Sequence, residues 1–158
     1  MTVGKSERVT QDRVIALFRK ELGYRFLGDR SDRDNSNIEE SLLTEYLRRV
    51  GYSEATISRA LYLLRTEANH PNRSLYENNK AVYALLRYGV KVKTTAGEDH
   101  ETVSVIDWSR PEQNDFAIAE EVTLRGGRER RPDLVLYVNG IALAVIELKN
   151  SRVAIGKG

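Results

Sequence analysis

The sequence predicts an α/β fold with a helical N-terminal half and a β-sheet in the C-terminal half. Up to Gly89 the apolar residues recur at helical spacing, and beyond it they alternate with the period of two that strands show. The most regular stretch is 134–146, where two apolar runs flank Asn139-Gly140, a dipeptide that favours a tight hairpin turn. We therefore expect a sheet whose central element is this hairpin.

Capping, glycine and proline signals divide the N-terminal half into four predicted helices. Each carries apolar residues three or four positions apart, which gives it one face for a core. The predicted helices are Thr10–Leu22 after a polar lead (1–9), a helix that opens at the capping-box sequence Ser36-Asn37-Ile38-Glu39, a helix from the cap Ser53 to about Ala68, and Leu75–Tyr88.

Strands are predicted after Gly89, whereas the earlier charged stretch 28–35 is predicted to be a linker. The predicted strands are Val90–Thr94, Thr102–Ile106, Phe116–Leu124, Leu134–Val138 and Ile141–Ile146. The last two are almost continuously apolar. Such runs are typical of strands covered on both faces.

Composition sets the outer bounds on function. A chain of 158 residues with 41% hydrophobic residues is expected to fold as one domain over 1–158 with a core of its own. No apolar run approaches the roughly 20 residues that cross a bilayer, and no signal peptide is visible, so we expect a cytoplasmic location. The absence of cysteine excludes disulfides and thiolate metal sites, and a net charge of +2 neither favours nor excludes DNA binding.

Three charged residues stand at the open end of the hairpin: Asp133 before its first strand, and Glu147 and Lys149 after its second. Register decides whether they meet, because a slip of one residue moves a side chain to the other face. A strict two-residue turn would place Asp133 opposite Ile146. A one-residue shift, from a three-residue loop or a bulge, would place Asp133 opposite Glu147. We predict the odd-length connection.

Two carboxylates and an ammonium that converge at a sheet end form a site for a hard divalent cation. Mg²⁺ prefers oxygen ligands, keeps several waters and takes one or two protein carboxylates. A lysine beside a metal-bound water can orient that water or stabilise charge on a phosphate, which is the chemistry of phosphodiester hydrolysis. The alternative is a solvated ion pair at a strand end, and the three residues alone leave both interpretations open.

The amino-acid sequence of the hairpin resembles that of a known family. Pro132-Asp133 followed by Glu147-Leu148-Lys149 is similar to the PD-(D/E)xK nuclease motif. The longer phrases 131–140 and 145–150 resemble the N-terminal nuclease domain of the R subunit of type I restriction enzymes. Other segments that share this resemblance are Asn35–Glu39, Leu86–Val90, Ile106–Trp108 and Asn114–Phe116.

The resemblance implies a restriction-endonuclease-like core, a mixed sheet flanked by helices, that cuts double-stranded DNA with Mg²⁺. It makes Asp133 and Glu147 metal ligands, the carbonyl of Leu148 a third ligand, and Lys149 the catalytic lysine. R subunits are longer, with ATP-driven motor domains, and they work with methyltransferase and specificity subunits. The chain is therefore expected to be the N-terminal part of such a subunit, and ATP would act only in the motor domains outside it.

Further polar residues are weaker candidates. The first helix of PD-(D/E)xK folds often adds an acidic residue to the metal site, and here Glu7 and Gln11 lie one turn apart, although a solvent-facing position is favoured for each. Glu120 and Glu121 precede the motif, only one can face the site, and exposed strand charges are favoured for both. The arginine-rich loop Arg125–Arg131 is either a phosphate clamp or a solvated loop.

Two other functions remain open at this point. One is a repair or resolvase-type nuclease on the same fold, and the other is a non-catalytic module that binds DNA or a partner subunit.

Overall fold

The structure is a computed structural model that describes residues 3–32, 36–97, 99–123 and 130–149, with residues 3–6 as backbone only. The helices are α1 (Val3–Lys20), α2 (Glu40–Val50), α3 (Glu54–Ala68) and α4 (Leu75–Tyr88), with a 3₁₀ turn at Pro111–Gln113. The strands are β1 (Arg25–Asp29), β2 (Val90–Val92), β3 (Glu101–Val103), β4 (Phe116–Glu120), β5 (Leu134–Val138) and β6 (Ile141–Ile146). The predicted α/β class is confirmed.

The chain divides into two compact units. The first combines Met1–Glu39 with Asp115–Gly158, and the second is the continuous segment Glu40–Asn114. The expectation of one domain over the whole length stays a prediction. Within the described ranges, no helix combines the length and apolar character that crossing a bilayer requires.

The first unit is built on a four-stranded sheet in the order β1-β4-β5-β6. β1 runs parallel to β4, and the other neighbours are antiparallel, so the sheet is mixed as expected. On one face Ile118 and Leu134 pack with Ile15 of α1. On the other face Ala119, Val135 and Tyr137 form a second apolar cluster. Cover on both faces explains why β5 has almost no polar residue.

β6 departs from the expectation of two covered faces. Leu143 is 47% exposed and Val145 is 57% exposed, so the prediction is wrong for this strand. The reason is its position, because β6 pairs with β5 alone among the strands of the described sheet. An edge strand has fewer neighbours to cover its side chains.

The second unit holds α2, α3 and α4 with the antiparallel pair β2–β3. Ser53 caps α3 by accepting from the Thr56 amide, and Ser74 forms a capping box with Glu77 at the start of α4. α4 ends at Gly89, whose φ is 86° and where a Cβ would lie 2.6 Å from the Thr102 side chain. Glycine is needed there on both counts, so α4 can turn directly into β2.

Two predicted boundaries in the N-terminal half are wrong. α1 begins at Val3 rather than Thr10, although its first residues show no apolar stripe, and Val9 is exposed. Contacts that the sequence does not reveal hold this end, since Arg8 reaches Glu120 on β4. The second wrong boundary is that of the predicted linker 28–35, because its first two residues belong to β1. β1 is a short strand that depends on its parallel partner β4.

The predicted capping box at 36–39 is also wrong. Ile38 forms an isolated antiparallel bridge with Ile141, and the Glu39 amide donates to the Gly140 carbonyl at 2.7 Å. The Ser36 hydroxyl accepts from the amide of Ile38, two residues on, as in a serine turn. Pairing with the start of β6 keeps this stretch extended, so α2 begins only at Glu40.

Candidate active site

The hairpin turn has two residues. Val138 pairs with Ile141, and Asn139 and Gly140 both have positive φ, 51° and 83°. Asparagine and glycine tolerate this backbone conformation best, which explains the turn. The predicted three-residue loop is therefore wrong. The one-residue shift that would set Asp133 opposite Glu147 has to arise inside a strand instead.

A β-bulge in β6 supplies that shift. Tyr137 pairs with Ala142, whereas Leu136 pairs with Ala144, so Leu143 is the extra residue between them. Beyond the bulge Leu134 pairs with Ile146. The next positions outward are Asp133 and Glu147, which the ladder brings opposite each other.

Asp133 is bonded to both neighbouring segments. Its carbonyl accepts from the Glu121 amide at 3.0 Å, and its Oδ2 accepts from the Leu148 amide at 2.6 Å. The side chain is half-buried, while Glu147 and Lys149 are exposed. A carboxylate offers about four acceptor sites on its two oxygens, so the bond to Leu148 leaves Asp133 able to accept further ligands.

Glu120 lies beside this end of the sheet and faces α1. It is 7% exposed, accepts from Arg8 Nη1 at 2.9 Å and accepts from Gln11 Nε2 at 3.0 Å. The hydrogen bond that Arg8 donates to Glu120 raises the pKa of Arg8 above its usual value. Gln11 is itself only 5% exposed. The solvent-facing interpretation of Glu120 and Gln11 is therefore wrong, because the two side chains satisfy each other in a buried contact.

Glu121 links the same helix to the residues that precede Asp133. Its φ is 53°, which ends β4 short of the predicted Leu124. Its Oε1 accepts from Gln11 Nε2 at 3.4 Å, and its Oε2 lies 3.1 Å from Arg131 Nε. Glu7, the other candidate on α1, is half-buried.

The arginine-rich loop lies largely outside the described residues, which resume at Arg130. Arg131 is an exposed residue paired with Glu121. Arg8 was not singled out from the sequence, and Arg131 was considered only as a member of the arginine-rich loop. The spacing of Arg8 and Asp12 by one helical turn was the only local signal for Arg8, and it points to the exposed ion pair rather than to Glu120.

The chemistry of the donors fits a hard divalent cation. Asp133 and Glu147 supply carboxylate oxygens from opposed positions, and the Leu148 carbonyl is a main-chain oxygen between Glu147 and Lys149. Among the described residues, no group of three or more acidic, histidine or cysteine side chains is arranged for a metal. A Mg²⁺ site here would therefore use two carboxylates and complete its shell with the carbonyl and water.

A comparison with protein families supplies the identity. The family model described as the type I restriction enzyme R protein N terminus matches residues 4–158. The chain belongs to this family. The match covers both compact units, and so it includes the helices as well as the hairpin with its charged end.

Two relatives carry related names. The chain is 32% identical over 99 residues to a putative type I restriction enzyme MjaIXP endonuclease subunit of Methanocaldococcus jannaschii, across 59% of this chain and 10% of that protein. It is 36% identical over 80 residues to the type I restriction enzyme HindI endonuclease subunit of Haemophilus influenzae, across 48% of this chain and 8% of that protein. The matched part is thus a tenth or less of each relative's length.

Proposed function

We propose that this chain is the DNA-cleaving part of a type I restriction enzyme R subunit and that it hydrolyses phosphodiester bonds of double-stranded DNA with Mg²⁺. The observation that carries the proposal is the bulge at Leu143, which sets Asp133 opposite Glu147 beyond the last ladder pair. β-Bulges occur often next to active sites, where they redirect a side chain. Membership of the family and the endonuclease names of the relatives support the same function.

Asp133 and Glu147 would hold the metal, with the Leu148 carbonyl as a third protein ligand. Bound there, Mg²⁺ would act as a Lewis acid on the phosphate and favour deprotonation of a coordinated water. The backbone bonds of Asp133 to Glu121 and Leu148 fix the position of its carboxylate before the substrate arrives. Preorganisation of this kind avoids a reorganisation penalty during the reaction.

Lys149 would act on the substrate side of the same site. Its ammonium has three N–H donors and lies two residues beyond Glu147 on an exposed segment. It would donate to a phosphate oxygen as negative charge develops there, or orient the attacking water. Its exposure leaves it accessible to a DNA backbone.

Function in the whole enzyme would involve further parts. The relatives are named as endonuclease subunits, so the chain would work in a multi-subunit assembly. Its proposed partners there are the methyltransferase and specificity subunits that the family resemblance implies. ATP hydrolysis would belong to motor domains outside these residues. The activity proposed for the chain itself is the cleavage step.

Plasmid cleavage by the assembled enzyme tests the proposal. Asp133→Asn keeps an oxygen that can accept from the Leu148 amide but removes the charge, and Lys149→Ala removes the ammonium. We expect each change to slow nicking and cutting in Mg²⁺ by a factor of about 10²–10³, the usual effect of losing one transition-state contact. Lys20→Ala, another exposed lysine in the first unit, is the matched control and should cut normally.

ATPase activity is followed in the same samples and should be unchanged. Calorimetric titration of the chain with Mg²⁺ or Mn²⁺ gives a second readout, in which Asp133→Asn should weaken binding and Lys149→Ala should not. If both variants cut DNA at the rate of the unchanged protein, the hairpin charges are structural and the proposal fails. Loss of ATPase together with cutting would instead show damage to the assembly.

A further inference from the structure

A stripe of alternating aromatic and cationic side chains runs along α4 in the second unit. Tyr76, Lys80, Tyr83 and Arg87, here named the α4 stripe, are spaced by four, three and four residues, which puts them on one face of the helix. All four are exposed, the two tyrosines by 74% and 61%. Exposed large aromatic residues in a regular row indicate a surface that meets a partner.

The stripe leads to a cavity of about 600 Å³. Arg87 is common to both, and its guanidinium lies 5.3 Å from the ring centroid of Trp108. Trp108 is held by a bond from its indole N–H to the Leu86 carbonyl at 2.8 Å, yet it remains 49% exposed. Arg49 and Arg110 also line the cavity. The cavity thus combines an accessible indole with three arginines, of which Arg87 lies against the indole ring.

The cations on this surface differ in how far they are already engaged, since Arg110 pairs with Asp107 and Arg49 donates to the Gln113 carbonyl. Among the described residues Lys80 has no ion pair, and the Arg87 guanidinium has neither an ion pair nor a hydrogen bond beside its approach to the Trp108 ring. The carboxylate in the cavity, Asp107, is occupied by the amides of Ser109 and Arg110 and by the Arg110 side chain. The amide of Arg110 lowers the pKa of Asp107, so it stays ionised while it is internally paired.

We propose that the α4 stripe and the Trp108 cavity form a binding site for single-stranded DNA. Bases would stack on Tyr76, Tyr83 and Trp108, and the phosphates would be met by Lys80 and the arginines. Aromatic platforms interleaved with cations are the general means of binding a single strand, whose base faces are accessible, whereas a duplex conceals them. The choice of DNA over RNA rests on the proposed function, while the stacking and charge arguments do not.

The length of the surface favours a polymer over a free nucleotide. Tyr76 and Arg87 are separated by eleven helical steps, about 16 Å at about 1.5 Å per residue. That distance is on the order of five stacked nucleotides at about 3.4 Å each. A mononucleotide bound in the cavity would meet Arg87 and leave the rest of the α4 stripe empty.

A protein partner is the main rival, because tyrosine, tryptophan and arginine are common at protein interfaces. The arrangement of charge favours nucleic acid. No carboxylate interrupts the stripe, and Glu77 beside it is occupied by the amide and hydroxyl of Ser74. An acid-free row of cations complements an evenly charged backbone.

Binding of labelled oligo-dT of about 12 nucleotides, within the roughly 4–16 that single-strand modules cover, tests the site. The whole 158-residue chain is used in EDTA, so that cleavage does not occur and the result is independent of Asp133 and Lys149. Trp108 is the only tryptophan, and its emission should be quenched as the oligonucleotide binds. Tyr83→Ala should weaken binding about 5- to 100-fold through the loss of one stacking platform.

Lys80→Gln should lower the slope of log affinity against log salt by about 0.7. Tyr62→Ala is the matched control, because Tyr62 is a half-exposed tyrosine of the same unit that also lies near an arginine, with Arg59 at 5.1 Å from its ring. Circular dichroism confirms that each variant is folded. Equal affinity of Tyr83→Ala and Tyr62→Ala would overturn the proposal.

Three comparison ligands sharpen the outcome. Tighter binding of a duplex of the same sequence would overturn the choice of a single strand, and tighter binding of oligo-U would overturn the choice of DNA. A mononucleotide that quenches Trp108 as strongly at equal concentration would overturn the role of the stripe. Absence of quenching while the oligonucleotide binds would overturn the role of the cavity.

Discussion

Glu120 is a buried carboxylate whose hydrogen-bond donors, among the residues that the structure describes, all come from α1. Arg8 donates to both of its oxygens, at 2.9 and 3.4 Å, and Gln11 donates at 3.0 Å. Burying a charge without such donors is strongly unfavourable, so the first turns of α1 are tied to the end of β4. The neighbouring Glu121 amide bonds the Asp133 carbonyl, and so the contact with α1 extends to the candidate site.

Removing the Glu120 carboxylate should therefore destabilise the protein. Glu120→Ala leaves the buried amide of Gln11 without its closer acceptor, which we expect to lower the free energy of unfolding by about 1–3 kcal/mol. Asp12→Ala removes the other partner of Arg8, in an ion pair whose two side chains are both exposed. This change should alter the free energy of unfolding by less than about 0.5 kcal/mol. Urea unfolding of the two variants measures both values. A similar loss in both would contradict the role given to Glu120.

At the scale of an element, the hairpin turn reverses the chain and also binds the residue that precedes β4. Asn139 is completely buried, and its Oδ1 accepts from the Asp115 amide at 2.7 Å. The backbone amide of Asn139 donates to the Asp115 carbonyl at 2.7 Å. Since the turn starts β6, which carries the bulge, the position of Glu147 depends on it.

Asn139→Ala should be costly for two separable reasons. Alanine disfavours a φ of 51°, and the Asp115 amide loses its acceptor, so we expect a loss of about 2–4 kcal/mol in unfolding free energy. Asn139→Gly accepts the backbone conformation and loses only the interactions of the side chain, so its loss in unfolding free energy should be about half as large. Thermal or urea unfolding distinguishes the two. Equal losses would show that backbone strain contributes nothing.

Local signals made some elements predictable and left others hidden. The bounds of α4, β5 and β6 follow from patterns within each segment, and they were predicted as the structure has them. Asp133, Glu147 and Lys149 were predicted as site residues from their spacing and motif, and their roles stay predictions. The bulge was one of two ways to reach the required register, and sequence arithmetic could not choose between them. Gln11 and Glu120 were misjudged because their burial comes from a contact between residues more than a hundred positions apart.

On the scale of the whole molecule, the chain leaves its first unit after Glu39 and returns to it at Asp115. The segment between has apolar residues of its own that are almost fully buried, among them Leu43, Leu47, Ile57, Leu64 and Val103. Its helices carry their own caps at Ser53 and Ser74. The second unit thus has the components of an independent fold.

Residues 40–114 expressed alone should accordingly fold. We expect helical circular dichroism and a single cooperative thermal transition, because the main local and core contacts are contained within this segment. Leu47→Ala in the same fragment should lower its melting temperature, as the loss of a fully buried leucine does. A broad, non-cooperative melt would contradict this expectation.

The hairpin turn also holds the two points at which the chain leaves and re-enters the first unit. Glu39 bonds the Gly140 carbonyl and Asp115 bonds Asn139, so the exit and re-entry points of the chain are held at two consecutive residues. A segment inserted between two points that lie so close together can change in length or sequence without changing the geometry of the sheet. The second unit therefore has the connectivity of an insertion, because the chain leaves and re-enters the first unit at a single turn.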